Sequence, residues 1–158
     1  MSKAASGIAL VVWIGVCFAA ASLGSAFAAR SVGSWYPGLV KPAWTPPSSV
    51  FAPVWSILYV LMGIAVWLVW RRSGPGVTVA VALFSGQLAL NVAWSALFFG
   101  LRSPGAAFAE IVALWLLILA TLIAFWRVTP SAAYLLIPYQ AWVTFAAALN
   151  FAIWRMNV

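Results

Sequence analysis

Five long runs of apolar residues, nearly free of charged side chains, constrain this chain more than any other feature. Each run holds about 20–24 residues, the length at which an α-helix crosses the hydrocarbon core of a bilayer. A membrane strand barrel would instead show alternating segments of about ten residues, and the sequence has no such pattern. The sequence therefore predicts an all-α integral membrane protein, a single five-transmembrane-helix bundle over residues 1–158. The helices are expected at about 7–27, 47–70, 77–99, 104–126 and 131–155.

Charged residues are too rare to cover a water-soluble surface. They make up 6% of the chain, whereas a soluble domain carries about 25%. The net charge of +7 does not indicate a nucleic-acid partner, because the cations stand at the ends of the apolar runs or in the first loop. Cations in these places meet anionic lipid headgroups, so membrane lipid is the expected partner. They divide evenly between the two predicted ends of the bundle and do not orient it in the membrane.

Histidine is absent and Cys17 is the single cysteine. These counts exclude an intrachain disulfide, the usual kind of zinc site and a haem held by an axial histidine. We expect no metal site and no obligatory cofactor.

The first run allows two interpretations. Ala26-Phe27-Ala28 at its end resembles the A-x-A cleavage site of a signal peptide. The run is nevertheless about 21 residues long, more than a signal core of about 7–15 residues and enough to span a bilayer. We therefore expect a retained helix.

Polar and aromatic side chains in the third run share one helical face. They recur at helical spacing, at Gln87, Asn91, Trp94, Ser95 and Phe98. An amide that faces lipid is costly, so this face should look into the bundle or a cavity. Two compatible interpretations remain open: hydrogen bonds between helices, or the lining of a ligand cavity.

The opposite face of the third run carries small residues, at Ala82, Gly86, Ala89 and Ala93. Small side chains let another helix pack closely. This face is therefore predicted to be a surface on which another helix packs closely.

Tryptophan needs two explanations in this chain. Trp70, Trp126 and Trp154 stand beside arginines at the ends of runs, as in an interfacial belt. A belt does not explain Trp55 and Trp142, which lie within the second and fifth runs on faces that also carry Tyr59 and Ala146, respectively.

Glu110 is the only acidic residue. It lies about a turn and a half into the fourth predicted helix, where an ionised carboxylate is expensive. One interpretation is a proton or substrate site. The interpretation we favour is a carboxylate near the interface, paired with an arginine such as Arg102 or stabilised near the helix N-terminus.

The segment from Trp35 to Tyr59 holds five of the nine prolines and three of the eleven tryptophans. From Trp35 to Gly63 the chain reads W-Y-x-x-L-x-K-P-x-W-x-P-P followed by V-F-x-x-V-W-x-x-L-Y-x-x-M-G. This pattern resembles the translocator protein family, also called tryptophan-rich sensory proteins or peripheral-type benzodiazepine receptors. The resemblance continues along nearly the whole chain and is that of a bacterial member, so we expect a bacterial membrane, inner or outer. Thr45 is a candidate N-cap of the second helix, which Pro46-Pro47 would open.

The resemblance implies a structured first loop that acts as the lid of a ligand pocket inside each protomer of a homodimer. We predict that the dimer interface is the small-residue face of the third helix, at Ala82, Gly86, Ala89 and Ala93. It also implies binding of porphyrins such as protoporphyrin IX and of benzodiazepine or isoquinoline carboxamide drugs. The pocket residues carried over are Tyr36, Pro46, Trp55, Tyr59, Asn91, Trp94, Ser95, Phe98, Trp142, Ala146 and Leu149. Arg30 and Lys41 are candidate contacts for the porphyrin propionates.

The expected function is that of a receptor or sensor serving porphyrin transport or stress regulation. One alternative is an enzyme that degrades protoporphyrin in light, with Trp55 and Trp142 as electron donors. A second alternative is a transporter of lipid, sterol or porphyrin. Sterol is the less favoured ligand, because Phe151 stands where the sterol motif of animal members has a tyrosine.

Overall fold

Five helices dominate the computed structural model, which describes residues 3–158. They are α1 (Lys3–Ala29), α2 (Ser48–Trp70), α3 (Val77–Ser95), α4 (Pro104–Val128) and α5 (Pro130–Met156). A π-helical turn, Ala96–Gly100, extends α3. Each of the five is long and apolar enough to cross a membrane. The predicted all-α bundle is confirmed, and residues 3–158 contain no strand.

The helix ends depend on local chemistry. Pro104 and Pro130 open α4 and α5 at the first helical position, where a missing N–H costs nothing. The N-cap prediction for Thr45 is wrong: its hydroxyl donates to Pro42 O at 2.7 Å, and Pro47 is the N-cap of α2. A residue before a proline is held in extended backbone, so Pro46 is excluded from the helix by Pro47.

The helices form a closed ring in the order α1, α2, α5, α4, α3, with α3 returning to α1. Two glycines permit the close approach of α1. A Cβ at Gly63 of α2 would lie 2.8 Å from the Cα of Ile14, and one at Gly24 would lie 3.1 Å from Ser95 Oγ. Small residues therefore place α1 against both α2 and α3.

The core has two parts. The larger runs through the middle of the bundle, from Met62 on α2 to Phe125 on α4. The smaller lies at the end where α3 finishes and gathers Phe98, Ala107, Leu149 and Ile153. The segment between α1 and α2, which we call loop 1 (residues 30–47), covers this smaller part.

Candidate functional site

Loop 1 lies over one end of the bundle. Trp35, Tyr36 and Leu39 pack against the smaller core. The ring of Phe98, 2% exposed, lies 5.8 Å from that of Trp35 and 6.3 Å from that of Tyr36. Loop 1 thus covers the end of the bundle at which α3 finishes.

The π-helical turn shapes the end of α3 beneath loop 1. The amide of Leu101 donates to Ala96 O at 2.8 Å, and Ser31 at the start of loop 1 donates to Phe99 O at 2.6 Å. Trp94 stacks on Phe98 with ring centroids 5.1 Å apart. Such turns inside helices recur at functional sites.

Lys41 braces loop 1 from within. Its ammonium donates to the carbonyls of Tyr36 and Leu39 at 2.8 Å and of Pro37 at 3.3 Å. It also lies 4.8 Å from the centre of the Tyr36 ring, a cation–π distance. Burial raises the pKa of the Tyr36 phenol above its usual value, so the phenol is uncharged at neutral pH. The three ammonium hydrogens of Lys41 are therefore committed to loop 1, whereas Arg30 is exposed just after α1.

Aromatic rings from three elements meet between α2 and α5. We call Trp44, Phe51, Trp142 and Phe145 the aromatic cluster. The ring of Trp142 lies 5.9 Å from Phe51 and 5.5 Å from Phe145, and Trp44 of loop 1 lies 5.7 Å from Phe145. One helical turn further along α2, Trp55 stacks on Tyr59 at 5.4 Å and meets Tyr139 at 6.2 Å.

A chain of hydrogen bonds crosses the buried interior below these rings. Tyr59 Oη donates to Asn91 Oδ1 at 2.7 Å, Asn91 Nδ2 donates to Tyr139 Oη at 3.1 Å, and Tyr139 Oη donates to Gln87 Oε1 at 3.0 Å. Gln87 Nε2 is buried and has no partner among the described residues. The amides of α3 therefore hydrogen-bond to α2 and α5, as one of the two interpretations of this face predicted.

The other predicted pocket residues lie at different depths. Trp94 Nε1 donates to Asn150 Oδ1 at 2.9 Å, which fixes the indole ring against α5. Leu149 packs with Phe98 in the smaller core, and Ala146 borders the larger one. Ser95 instead faces Gly24 of α1, and Pro46 is half-buried just before α2.

The pairing of Glu110 with an arginine is wrong. Both carboxyl oxygens are buried and have no hydrogen-bond partner within residues 3–158. Arg102 lies in the turn between α3 and α4, with a positive φ of 52°. Glu110 is six residues beyond the first residue of α4, Pro104, so it lies outside the first helical turn, to which the stabilising effect of the helix N-terminus is confined.

The predicted dimer face on α3 is partly open. Ala82 and Ala89 are exposed, whereas Gly86 and Ala93 are half-buried. A Cβ at Gly86 would lie 3.3 Å from a methyl group of Leu117 on α4. The outer half of the predicted face is thus available to a second copy of the chain.

The predicted pocket residues do not include Trp44, Phe51 or Phe145 of the aromatic cluster. Phe51 and Phe145 follow helical spacing from Trp55 and Trp142, and that spacing is a signal that would have added them. The contacts of Ser31 with α3 and of Asn157 with loop 1 have no such signal, because single polar residues near loops and termini are common. Within residues 3–158, no group of three or more histidine, cysteine or acidic residues could hold a metal ion.

Comparison with known proteins identifies a family and relatives to which this chain is similar. Residues 13–155 match the model of the TspO/MBR family. The chain is 45% identical to the tryptophan-rich protein TspO of Chlorobaculum tepidum, over 95% of this chain and 96% of that one. It is 43% identical to the human translocator protein, over 97% of this chain and 89% of that one. It is 37% identical to a tryptophan-rich sensory protein of Cereibacter sphaeroides, over 93% and 90% of the two chains.

Proposed function

Because the chain belongs to the TspO/MBR family, we propose that it is a membrane receptor or sensor that binds a tetrapyrrole, protoporphyrin IX, beneath loop 1. The same site would accept benzodiazepine and isoquinoline carboxamide drugs. The names of two relatives, sensory protein and translocator protein, agree with a role in sensing or moving a ligand.

The aromatic cluster is the observation that carries this proposal. Its four rings come from loop 1, α2 and α5, and Trp44 is 51% exposed. A flat, conjugated ligand gains contact area and stacking from such rings, worth about 0.5–1.5 kcal/mol per aromatic pair beyond burial. Loop 1 borders the cluster through Trp44, so a ligand that displaces this ring would lie under the loop.

Polar groups suit a ligand with a polar edge. Arg30 is exposed just after α1 and is the proposed contact of the porphyrin propionates. At the inner end, Asn91 Nδ2 gives one hydrogen to Tyr139 and has a second to offer to a ligand carbonyl. This second hydrogen is the proposed contact of a carboxamide drug.

The decisive experiment is a titration of the purified protein in lipid nanodiscs with protoporphyrin IX, followed by tryptophan quenching. Trp142→Ala should weaken binding about tenfold or more, because it removes the central ring of the cluster. Trp126→Ala is the matched control, since Trp126 is half exposed on α4 and contacts only Tyr134 among the ring pairs of the described chain. Equal affinities in the two variants would reject the site, and no binding to the unchanged protein would reject the function.

A second function, light-dependent degradation of protoporphyrin, is favoured by the row of oxidisable rings formed by Trp55, Tyr59 and Tyr139. Illumination of the porphyrin complex tests it. Loss of porphyrin absorbance that disappears in Trp55→Phe and Trp142→Phe would support an enzyme. Stable absorbance with tight binding would reject the enzyme and support the receptor function only.

A further inference from the structure

Asn157, the C-cap of α5, is joined to the middle of loop 1 by its side chain. Asn157 Oδ1 accepts a hydrogen bond from Val40 N at 2.9 Å, and Asn157 Nδ2 donates to Val40 O at 2.8 Å. The second hydrogen of Nδ2 goes to Ile153 O at 2.7 Å, one turn back in α5. The Asn157 amide therefore hydrogen-bonds to both the backbone N–H and the carbonyl of Val40 while it also caps the end of α5.

This contact is unusual in its position. For residues 33–46 of loop 1, the hydrogen bonds to α2–α5 in the described chain are those at Val40. Outside residues 33–46, the hydrogen bond from Ser31 to Phe99 O lies at the start of the loop next to α1, and the one from Val50 N to Pro47 O lies at its junction with α2. Rings and aliphatic side chains otherwise hold the loop through non-directional contacts.

Loop 1 is braced by hydrogen bonds within itself, so we expect it to move as a unit. Lys41 ties the carbonyls of Tyr36, Pro37 and Leu39 together, and prolines reduce the number of conformations open to the segment. A stiff segment held by one directional contact at its centre opens when that contact breaks.

We propose that Asn157 is a positioning residue for the ligand site: it latches loop 1 shut, and its release controls how fast ligand enters and leaves. The inference rests on the proposed function for its ligand, although the latch itself is a property of the fold. Asn157 lies at the end of α5, the helix that also carries Trp142 and Leu149. The latch therefore joins the lid to the helix that forms one wall of the site.

The latch makes a specific kinetic prediction. Its hydrogen bonds join the loop to α5 and involve no ligand atom. We therefore expect their loss to favour the open loop equally with and without ligand. The association and dissociation rates should then rise by the same factor, and the equilibrium affinity should stay constant. A residue that touches ligand, or one that only supports the fold, would not produce this pattern.

The test uses Asn157→Asp, which keeps the shape of the side chain but loses both donors and points a carboxylate at the carbonyls of Val40 and Ile153. Val158→Ala is the control, because that neighbouring side chain is 87% exposed. Stopped-flow quenching by protoporphyrin IX in nanodiscs should give rates about tenfold faster in both directions, with Kd within about twofold. Unchanged rates, or a weaker Kd with an unchanged association rate, would overturn the latch.

A second readout needs no ligand. Leu39→Cys places a thiol beneath loop 1, and Cys17 is buried and does not compete. Labelling by a water-soluble maleimide should be about tenfold faster when Asn157→Asp is added, and equal labelling would reject the latch. The same assay with Trp35→Cys replaces it if Leu39→Cys does not fold. If protoporphyrin fails to bind the unchanged protein, the proposed function fails, and this assay still decides the latch.

Discussion

The phenol of Tyr59 on α2 donates a hydrogen bond of 2.7 Å to Asn91 Oδ1 on α3, inside a bundle whose outer surface is apolar. Both residues are buried, at 6% and 5% exposure. Water is not available at this depth to replace a lost partner, so the bond fixes how α2 sits against α3.

Tyr59→Phe should lower the free energy of unfolding by about 1–3 kcal/mol, because it leaves Asn91 Oδ1 buried without a donor. Tyr134→Phe is the matched control, since Tyr134 is 57% exposed and its ring contact with Trp126 survives the change. Denaturant unfolding in detergent micelles measures both. Equal stabilities would mean that the Tyr59 hydrogen bond does not hold the helices together.

Gly63 of α2 should tolerate no side chain. A Cβ there would lie 2.7 Å from Ile14 Cγ1 and 2.8 Å from its Cα, so Gly63→Ala pushes α1 away at a cost of about 1–3 kcal/mol. Gly15→Ala is the control, because nothing lies within 4 Å of a Cβ at that position. The control should unfold at the same or a higher denaturant concentration, since alanine favours a helix over glycine by about 1 kcal/mol.

The sequence was sufficient for the helices and for much of the aromatic face, since length, apolar content and helical spacing depend only on neighbours in the chain. Tyr59, Asn91, Trp94 and Phe98 were found in this way, and the structure brings them into contact. The sequence did not predict which way Ser95 faces. Helical spacing assigns a side chain to a face only to within about one of the 3.6 residues in each turn. The facing of Ser95 onto Gly24 depends on where α1 packs.

Contacts between distant segments were beyond the sequence for the same reason. The hydrogen bonds of Asn157 with Val40 join residues 117 positions apart. Lys41 was a candidate ligand contact in the sequence. In the structure, the short turn at Tyr36–Gly38 directs backbone carbonyls toward the Lys41 ammonium, which donates hydrogen bonds to them. Such arrangements depend on backbone geometry that no local pattern encodes.

The two candidate propionate contacts should behave differently. Arg30→Gln should weaken binding of protoporphyrin IX while leaving its dimethyl ester unaffected, because the ester has no charge for the guanidinium to meet. Lys41→Gln should weaken both ligands alike, because it loosens loop 1. The ratio of the two Kd values in each variant is the measurement. A Lys41→Gln effect confined to the free acid would restore Lys41 as a propionate contact.

The outer face of α3 should carry the homodimer contact. Ala89→Phe adds a bulky ring to an exposed small position and should convert dimer to monomer, because close helix packing in membranes depends on small side chains. Ile137→Phe is the control, since Ile137 is 47% exposed on α5, away from this face. Light scattering of the detergent-solubilised protein measures the mass of the oligomer. A dimer that survives Ala89→Phe would place the interface elsewhere.

Glu110 should lower the stability of the folded protein. Its two carboxyl oxygens are buried and unpartnered in the described chain, and a buried polar group without a partner costs about 1–3 kcal/mol. Glu110→Leu should therefore raise the free energy of unfolding by a similar amount, while Glu110→Gln, which keeps the polar burden, should leave it within about 0.5 kcal/mol. If Glu110→Leu instead destabilises the protein, the carboxyl group has a partner in the membrane, such as a bound water or lipid. Loss of protoporphyrin binding at full stability would give Glu110 a functional role, because a polar residue retained in a membrane helix at a cost to stability is a candidate functional site.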